Sequence, residues 1–293
     1  MKYGFNLPTQ GPMATPENLA NLVRSGEEMG FDVASVSDHV VIPKSINSRY
    51  PYTESGEFAG RVPGECLDQL ATLSFIAGQT SKVRLLTSVM VLPHRSPVLT
   101  AKMLASIDVL SNGRLTVGCG VGWMREEFEA LGAPPFDERG AVGDEYIALF
   151  KEMWTSDAPA FSGKYVSVSD VSFLPKPVPK PHPPIWGGGE SPPALRRAAR
   201  FADAWYPIGN NPRYPVGTVE QLAEYLSRLR TYVEEAGRDP SEVGVAYNGG
   251  WYNDLEAQYD SKGERRIFTG THTQIADDIK RFEELGVSYL ALG

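Results

Sequence analysis

The chain has 293 residues, of which 42% are hydrophobic and 22% charged, enough for a sizeable buried core and too apolar for disorder. Its formal net charge of -8 argues against nucleic acid or an anionic membrane surface as partner, and no apolar run approaches the roughly 20 residues that span a bilayer. The first residues lack the apolar stretch of a secretory signal, so a cytoplasmic location is expected.

Lys2 opens an alternating run that predicts a first strand over 2–7. Thr15-Pro16-Glu17 then reads as a helix start, with Leu19, Leu22, Val23 and Met29 as its apolar side and Gly30 as its stop. A second strand over 33–37 ends at Asp38-His39. The segment that follows, to about residue 64, carries Arg49, Tyr50, Tyr52, Phe58 and Arg61. It is too long for an ordinary βα connection and reads first as a lid with ligand contacts, with a poorly ordered insertion as the alternative.

A helix over 67–79, a strand over 84–89 and a helix with the stripe Leu99, Met103, Ile107 and Leu110 come next, closed by Ser111-Asn112-Gly113. Leu115 and Val117 begin a fourth strand that runs into Gly118, Gly120 and Gly122, with a helix predicted over 124–131. Strand, glycines and helix start together suggest a cofactor loop, because glycines leave amides unshielded and a helix start adds partial positive charge. The spacing is G-x-G-x-G, which departs from the dinucleotide-binding G-x-G-x-x-G.

Ile147, Phe150 and Trp154 mark another helix. A hairpin over 161–168 and an extended proline run over 175–184 follow. Ile185-Trp186 then leads into Gly187, Gly188 and Gly189 with a helix over 193–201, which repeats the strand, glycine and helix logic and gives a second anion seat. Strands over 204–208, 243–247 and 288–292 alternate with helices striped by Leu222, Leu226, Leu229 and Val233, and by Ile275, Ile279 and Phe282.

Eight strands alternating with helices predict one domain over 1–293, an α/β fold of the (β/α)8 TIM-barrel type, with insertions at about 40–64 and 158–184. An open doubly wound sheet is the alternative. In a barrel the polar and glycine-rich stretches all fall at C-terminal strand ends, where such enzymes keep their active sites. The Asp38-His39 pair at a strand end is then a functional candidate. Two cysteines and four scattered histidines offer no metal-ligand spacing, so no metal is expected. Cys119, between two loop glycines, raises a nucleophile, but no histidine is near it in sequence.

The motifs resemble the bacterial luciferase-like flavin and deazaflavin family nearly end to end. They are Val36-Ser37-Asp38-His39, Thr87-Ser88-Val89 through Pro97, Leu110-Ser111-Asn112-Gly113-Arg114, Gly118-Cys119-Gly120-Val121-Gly122-Trp123 through Glu127-Phe128, Ile185-Trp186-Gly187-Gly188-Gly189, and Ala202-Asp203-Ala204-Trp205. The wording looks most like the branch that uses coenzyme F420, with FMN as the alternative.

The resemblance implies that Asp38 and His39 sit beside the ring, and that Thr87, Ser88 and Val89 back it through a cis Ser88-Val89 bond. It also implies that Gly118, Gly120, Val121 and Gly122, with Gly187, Gly188 and Gly189, hold ribityl and phosphate groups. His39 would be the catalytic proton donor or acceptor in hydride transfer at C5 of the deazaflavin. Arg49, Arg61 and Arg95 are candidate partners for an anionic tail.

Related deazaflavin-dependent glucose-6-phosphate dehydrogenases carry a catalytic glutamate where Trp123 stands, so that sugar chemistry is not expected. Trp123, Tyr50 and Tyr52 instead suggest walls of a pocket for an apolar small molecule. The resemblance implies a homodimer, and a partner flavin reductase only for an FMN-dependent monooxygenase. A non-catalytic flavin-binding protein is the third reading.

Overall fold

The computed structural model describes residues 1–58, 65–260 and 263–292, so Arg61 and the end of the proposed lid lie outside the described residues. The chain divides into two compact units. One comprises Met1–Asn6, Pro51–Glu57 and Trp186–Gly293; the other comprises Leu7–Tyr50 and Phe58–Ile185.

In the larger unit, α1 (Pro16–Glu28) starts as predicted, with the Thr15 side chain accepting from the Asn18 amide. Leu19 and Val23 are buried, whereas Leu22 and Met29 are exposed; Met29 is already the C-cap and lies off the inward stripe. After β2 (Val33–Val36) come α2 (Gln69–Ala77), β3 (Arg84–Thr87), the short β4 (Met90–Val91), α3 (Pro97–Leu110) and β5 (Leu115–Gly120). Two further helices, α4 (Arg125–Leu131) and α5 (Arg139–Thr155), complete its helical layer. The hydrogen-bonded strand order is β2, β3, β5, β4, all parallel, with Val33 opposite Arg84 and Leu85 opposite Leu115.

Arg114 shows why the turn after α3 has its sequence. Its buried guanidinium donates to the carbonyls of Ala77 at the end of α2, of Thr80 and Val83 in the loop after it, and of Ser111 at the end of α3, groups that would otherwise lack partners. Asn112 and Gly113 make the turn with φ of 55° and 79°. Beyond α5, β6 (Phe161–Ser162) and β7 (Ser167–Val168) form the predicted hairpin. The proline run then passes the turn, where the Val178 amide donates to Asp108 at 2.7 Å.

In the smaller unit the parallel order is β1 (Lys2–Leu7), β11 (Val287–Ala291), β10 (Gly244–Asn248), β9 (Ala204–Tyr206) and β8 (Ile185–Gly188). Its helices are α6 (Pro192–Phe201), α7 (Val219–Glu235) and α8 (His272–Glu284). Their inner faces close a core of Leu222, Leu226, Leu229, Val233, Trp205, Tyr247, Phe268 and Phe282. The fold class is the α/β (β/α)8 barrel, and not the open doubly wound sheet. No helix among the described residues is long and apolar enough to cross a membrane.

Candidate active site

Asp38, just beyond β2, has its carboxylate buried and fully engaged. Oδ2 accepts from the Val91 amide and from Arg95 Nη1, both at 2.8 Å, and Oδ1 accepts from Arg95 Nη2 at 2.8 Å. The same Nη2 donates to Asp68 at 2.7 Å, and Asp68 in turn caps α2 by accepting from the Ala71 amide. Burial alone would raise the Asp68 carboxyl, but Arg95 and the helix amides hold it below the usual range. The Arg95 guanidinium, offered by the sequence as a cation for an anionic tail, is thus already balanced by two carboxylates.

His39, the next residue, turns to a different partner. Its Nδ1 lies 2.8 Å from Oε2 of Glu127, a carboxylate 1% exposed in the first turn of α4. Glu127 Oε1 accepts from the amides of Val40 at 2.8 Å and Val41 at 3.3 Å. Burial pushes the Glu127 carboxyl up, yet the His39 hydrogen bond, the neighbouring imidazoles and the Val40 amide outweigh it and leave it below its ordinary value.

A second imidazole, His94, stands with Nδ1 3.9 Å from Glu127 Oε1, beyond hydrogen-bond range. It is buried with its ring edge-on to Phe128, and neither ring nitrogen has a hydrogen-bond partner among the described residues. Burial pushes its pKa down, so it is neutral near pH 7.

Around His39 the rings gather. Phe58 lies 5.4 Å from the imidazole, and Tyr50, Phe58 and Trp123 are mutually spaced at 5.0 Å between centroids. The neighbour of Glu127, Glu126, accepts the amides of Asn47 at 2.7 Å and Ser48 at 3.0 Å, while Ser48 Oγ accepts from the Arg125 amide at 3.0 Å. Adjacent glutamates of one helix therefore tie both halves of the segment from His39 to Ser48.

The Ser88-Val89 peptide is cis. Thr87 Oγ1 donates to the Gly118 carbonyl at 2.8 Å. A Cβ at Gly118 would sit 2.1 Å from the Thr87 carbonyl oxygen, and one at Gly120 would sit 2.5 Å from Val89 Cγ2. Gly122 has φ of 80° and faces Phe128 and Val91. These glycines are thus required first by the close approach of β5 to its neighbours, with Val121 half-buried between two of them. Cys119, 1% exposed in β5, is closed off from any substrate, which removes it as a nucleophile.

In the smaller unit, Gly187 lies where a Cβ would meet Ala198 of α6 at 2.8 Å, and Gly189 has φ of 97°. Gly188 ends β8 between them. The predicted anion seat behind them is poor in donors. The first two helical positions are Pro192 and Pro193, which carry no N–H, and the Ala194 amide donates to Ser191 Oγ. Glu190, beside the cap, is completely buried; it accepts from the Ile208 amide at 2.8 Å and Asn211 Nδ2 at 2.7 Å. Tyr52 is half-buried in the stretch Pro51–Glu57 of this unit. Sequence reasoning did not find Glu127, His94, Asp68 or Glu190: the partners His39, Arg95 and Asn211 of the three carboxylates lie 88, 27 and 21 positions away, and His94 is marked by its burial alone. Only the doubled glutamate after Trp123 hinted at the first.

A model of the family described as luciferase-like monooxygenase matches residues 1–250. The chain is 30% identical over 252 residues to uncharacterized protein Rv0940c of Mycobacterium tuberculosis, covering 85% of this chain and 83% of that one. It is 37% identical over 134 residues, 45% of this chain and 37% of the other, to the FMNH(2)-dependent dimethylsulfone monooxygenase of Pseudomonas putida. Among solved structures, the coenzyme F420 dependent tetrahydromethanopterin reductase of Methanopyrus kandleri superposes with a TM-score of 0.76 at 16% identity, covering 99% of this chain and 92% of that one, a likeness of fold. The chain belongs to the luciferase-like monooxygenase family.

Proposed function

We propose that this chain is a coenzyme F420-dependent oxidoreductase acting on a small apolar organic substrate, with His39 moving the proton. The observation that carries the reading is the imidazole held by Glu127 at 2.8 Å beside Tyr50, Phe58 and Trp123. One protonatable group flanked by flat apolar walls fits the ring end of a deazaflavin and an uncharged substrate. When bound, the coenzyme supplies or takes the hydride at C5.

The protein's share is to bind, orient and handle the proton. Trp123 and Tyr50 would wall the substrate and exclude water, and the backbone at Ser88, Val89, Gly118, Gly120, Val121 and Gly122 would support the coenzyme. Thr87, Asp38 and Arg95 hold that backbone in place through the bonds described above. Nε2 of His39 donates a proton to, or accepts one from, the substrate oxygen.

Titration of the purified protein with oxidised coenzyme F420 and with FMN tests the reading. Binding of F420 at micromolar or tighter Kd is expected, with FMN at least about a hundredfold weaker. Tight binding of FMN alone would sink it and favour the second reading, an FMN-dependent monooxygenase served by a flavin reductase. That alternative is supported by the FMNH(2)-dependent Pseudomonas relative. Unchanged turnover by His39→Ala would remove the proton role of this side chain.

A further inference from the structure

We propose that Glu127 is the positioning residue that fixes His39 as its Nδ1–H tautomer and so presents the Nε2 lone pair to the reacting group. The proposal rests on the reading of His39 as the proton-handling side chain.

The argument is one of donors and acceptors. Glu127 is ionised and therefore only accepts, so a neutral imidazole 2.8 Å away must carry its hydrogen on Nδ1. The carboxylate cannot swing to another partner, because Oε1 is occupied by the amides of Val40 and Val41. Its negative charge is also not consumed elsewhere: His94, the other imidazole near it, is neutral and 3.9 Å away. When Nε2 takes a proton from a substrate hydroxyl, the imidazolium forms beside a buried anion, and in the reverse direction the same pair releases it.

Glu127→Gln separates this role from a purely structural one. The carboxamide oxygen still accepts from Val40 and Val41, while its NH2 faces His39 Nδ1 as a donor. Nδ1 must then accept, and the imidazole hydrogen moves to Nε2. Imidazole nitrogen chemical shifts of the ¹⁵N-labelled free protein, assigned to His39 by their loss in His39→Gln, read the tautomer with no coenzyme present.

The expected result is Nδ1–H in the native protein and Nε2–H in Glu127→Gln, with kcat lowered about 10²- to 10⁴-fold and KM within about threefold. A native Nε2–H tautomer, or a Gln variant that keeps Nδ1–H, overturns the proposal. The native spectrum alone decides if the variant does not fold. Since the spectrum needs no coenzyme, an inverted tautomer in a protein that binds no F420 would sustain this role for Glu127 and remove the F420 reading.

Discussion

Asp38 and His39 are adjacent in the chain and do unlike work. The sequence marks them as one functional pair, yet the Asp38 carboxylate is saturated by Val91 and Arg95, while His39 alone turns toward the aromatic side chains. Asp38→Asn would leave the Arg95 cation buried beside half its former counter-charge. A loss of about 3–5 kcal/mol in urea unfolding is expected, and a loss under about 1 kcal/mol would show the pair to be dispensable. Glu190 makes a prediction of opposite kind. Complete burial pushes its carboxyl from 4.5 to about 7, only partly offset by the donors from Ile208 and Asn211. Between those pH values the folded protein keeps a proton that the unfolded chain has released. Its stabilising contribution is therefore full below pH 4.5 and is lost as pH rises through about 7, by roughly 3 kcal/mol in all. Thermal melts should show Glu190→Gln flattening the fall in Tm between pH 5 and 8; an equal fall in both proteins would contradict this account. Neither carboxylate's role was legible in the sequence, because burial and distant partners set both.

At the level of elements, the sequence reads type well and facing poorly. The helix striped by Leu99, Met103, Ile107 and Leu110 was expected to turn those residues inward; in α3, Leu99 and Leu110 are 58% and 66% exposed, while Ile107 is buried together with Ala101, Leu104, Ala105 and even Asp108. Hydrophobicity alone misplaces that stripe, since small residues let α3 approach its neighbours and Asp108 is satisfied there by the amides of Val178 and Leu115. The glycines of β5 were legible as special but for the wrong first reason. Gly118→Ala should prevent folding or cost more than about 3 kcal/mol, because its Cβ would meet a backbone oxygen at 2.1 Å, with no side chain there to yield. Recovery of a soluble Ala variant with native Tm would refute the close approach. For the segment after β2, Glu126→Ala should speed hydrogen exchange at the Asn47 and Ser48 amides at least about tenfold while leaving global stability nearly unchanged. Unaltered exchange at those two amides would show that the helix does not hold the segment.

On the scale of the whole molecule, the eightfold alternation was readable because it is local: short β-prone runs, capped helices such as those begun by Thr15 and Thr218, and glycine or asparagine stops. What the sequence could not supply was which strand ends and helix starts share partners, since residues 39 and 127 are 88 positions apart. The net charge of -8 adds a test at this scale. With Arg95 neutralised by Asp38 and Asp68, the protein's long-range field opposes an anionic coenzyme, so moderate salt should accelerate F420 association. Stopped-flow rates that fall steeply with added salt would instead point to a local cluster of cations steering the ligand. The neighbouring glutamates at the start of α4 carry one further consequence. Because Glu126 grips residues 47 and 48 while Glu127 grips residues 39 to 41, the chain from His39 to Ser48 is fastened to a single rigid turn. Peeling that stretch from the helix and freeing the imidazole from its carboxylate are one event, so His39 keeps its orientation only while residues 40 to 48 stay on α4.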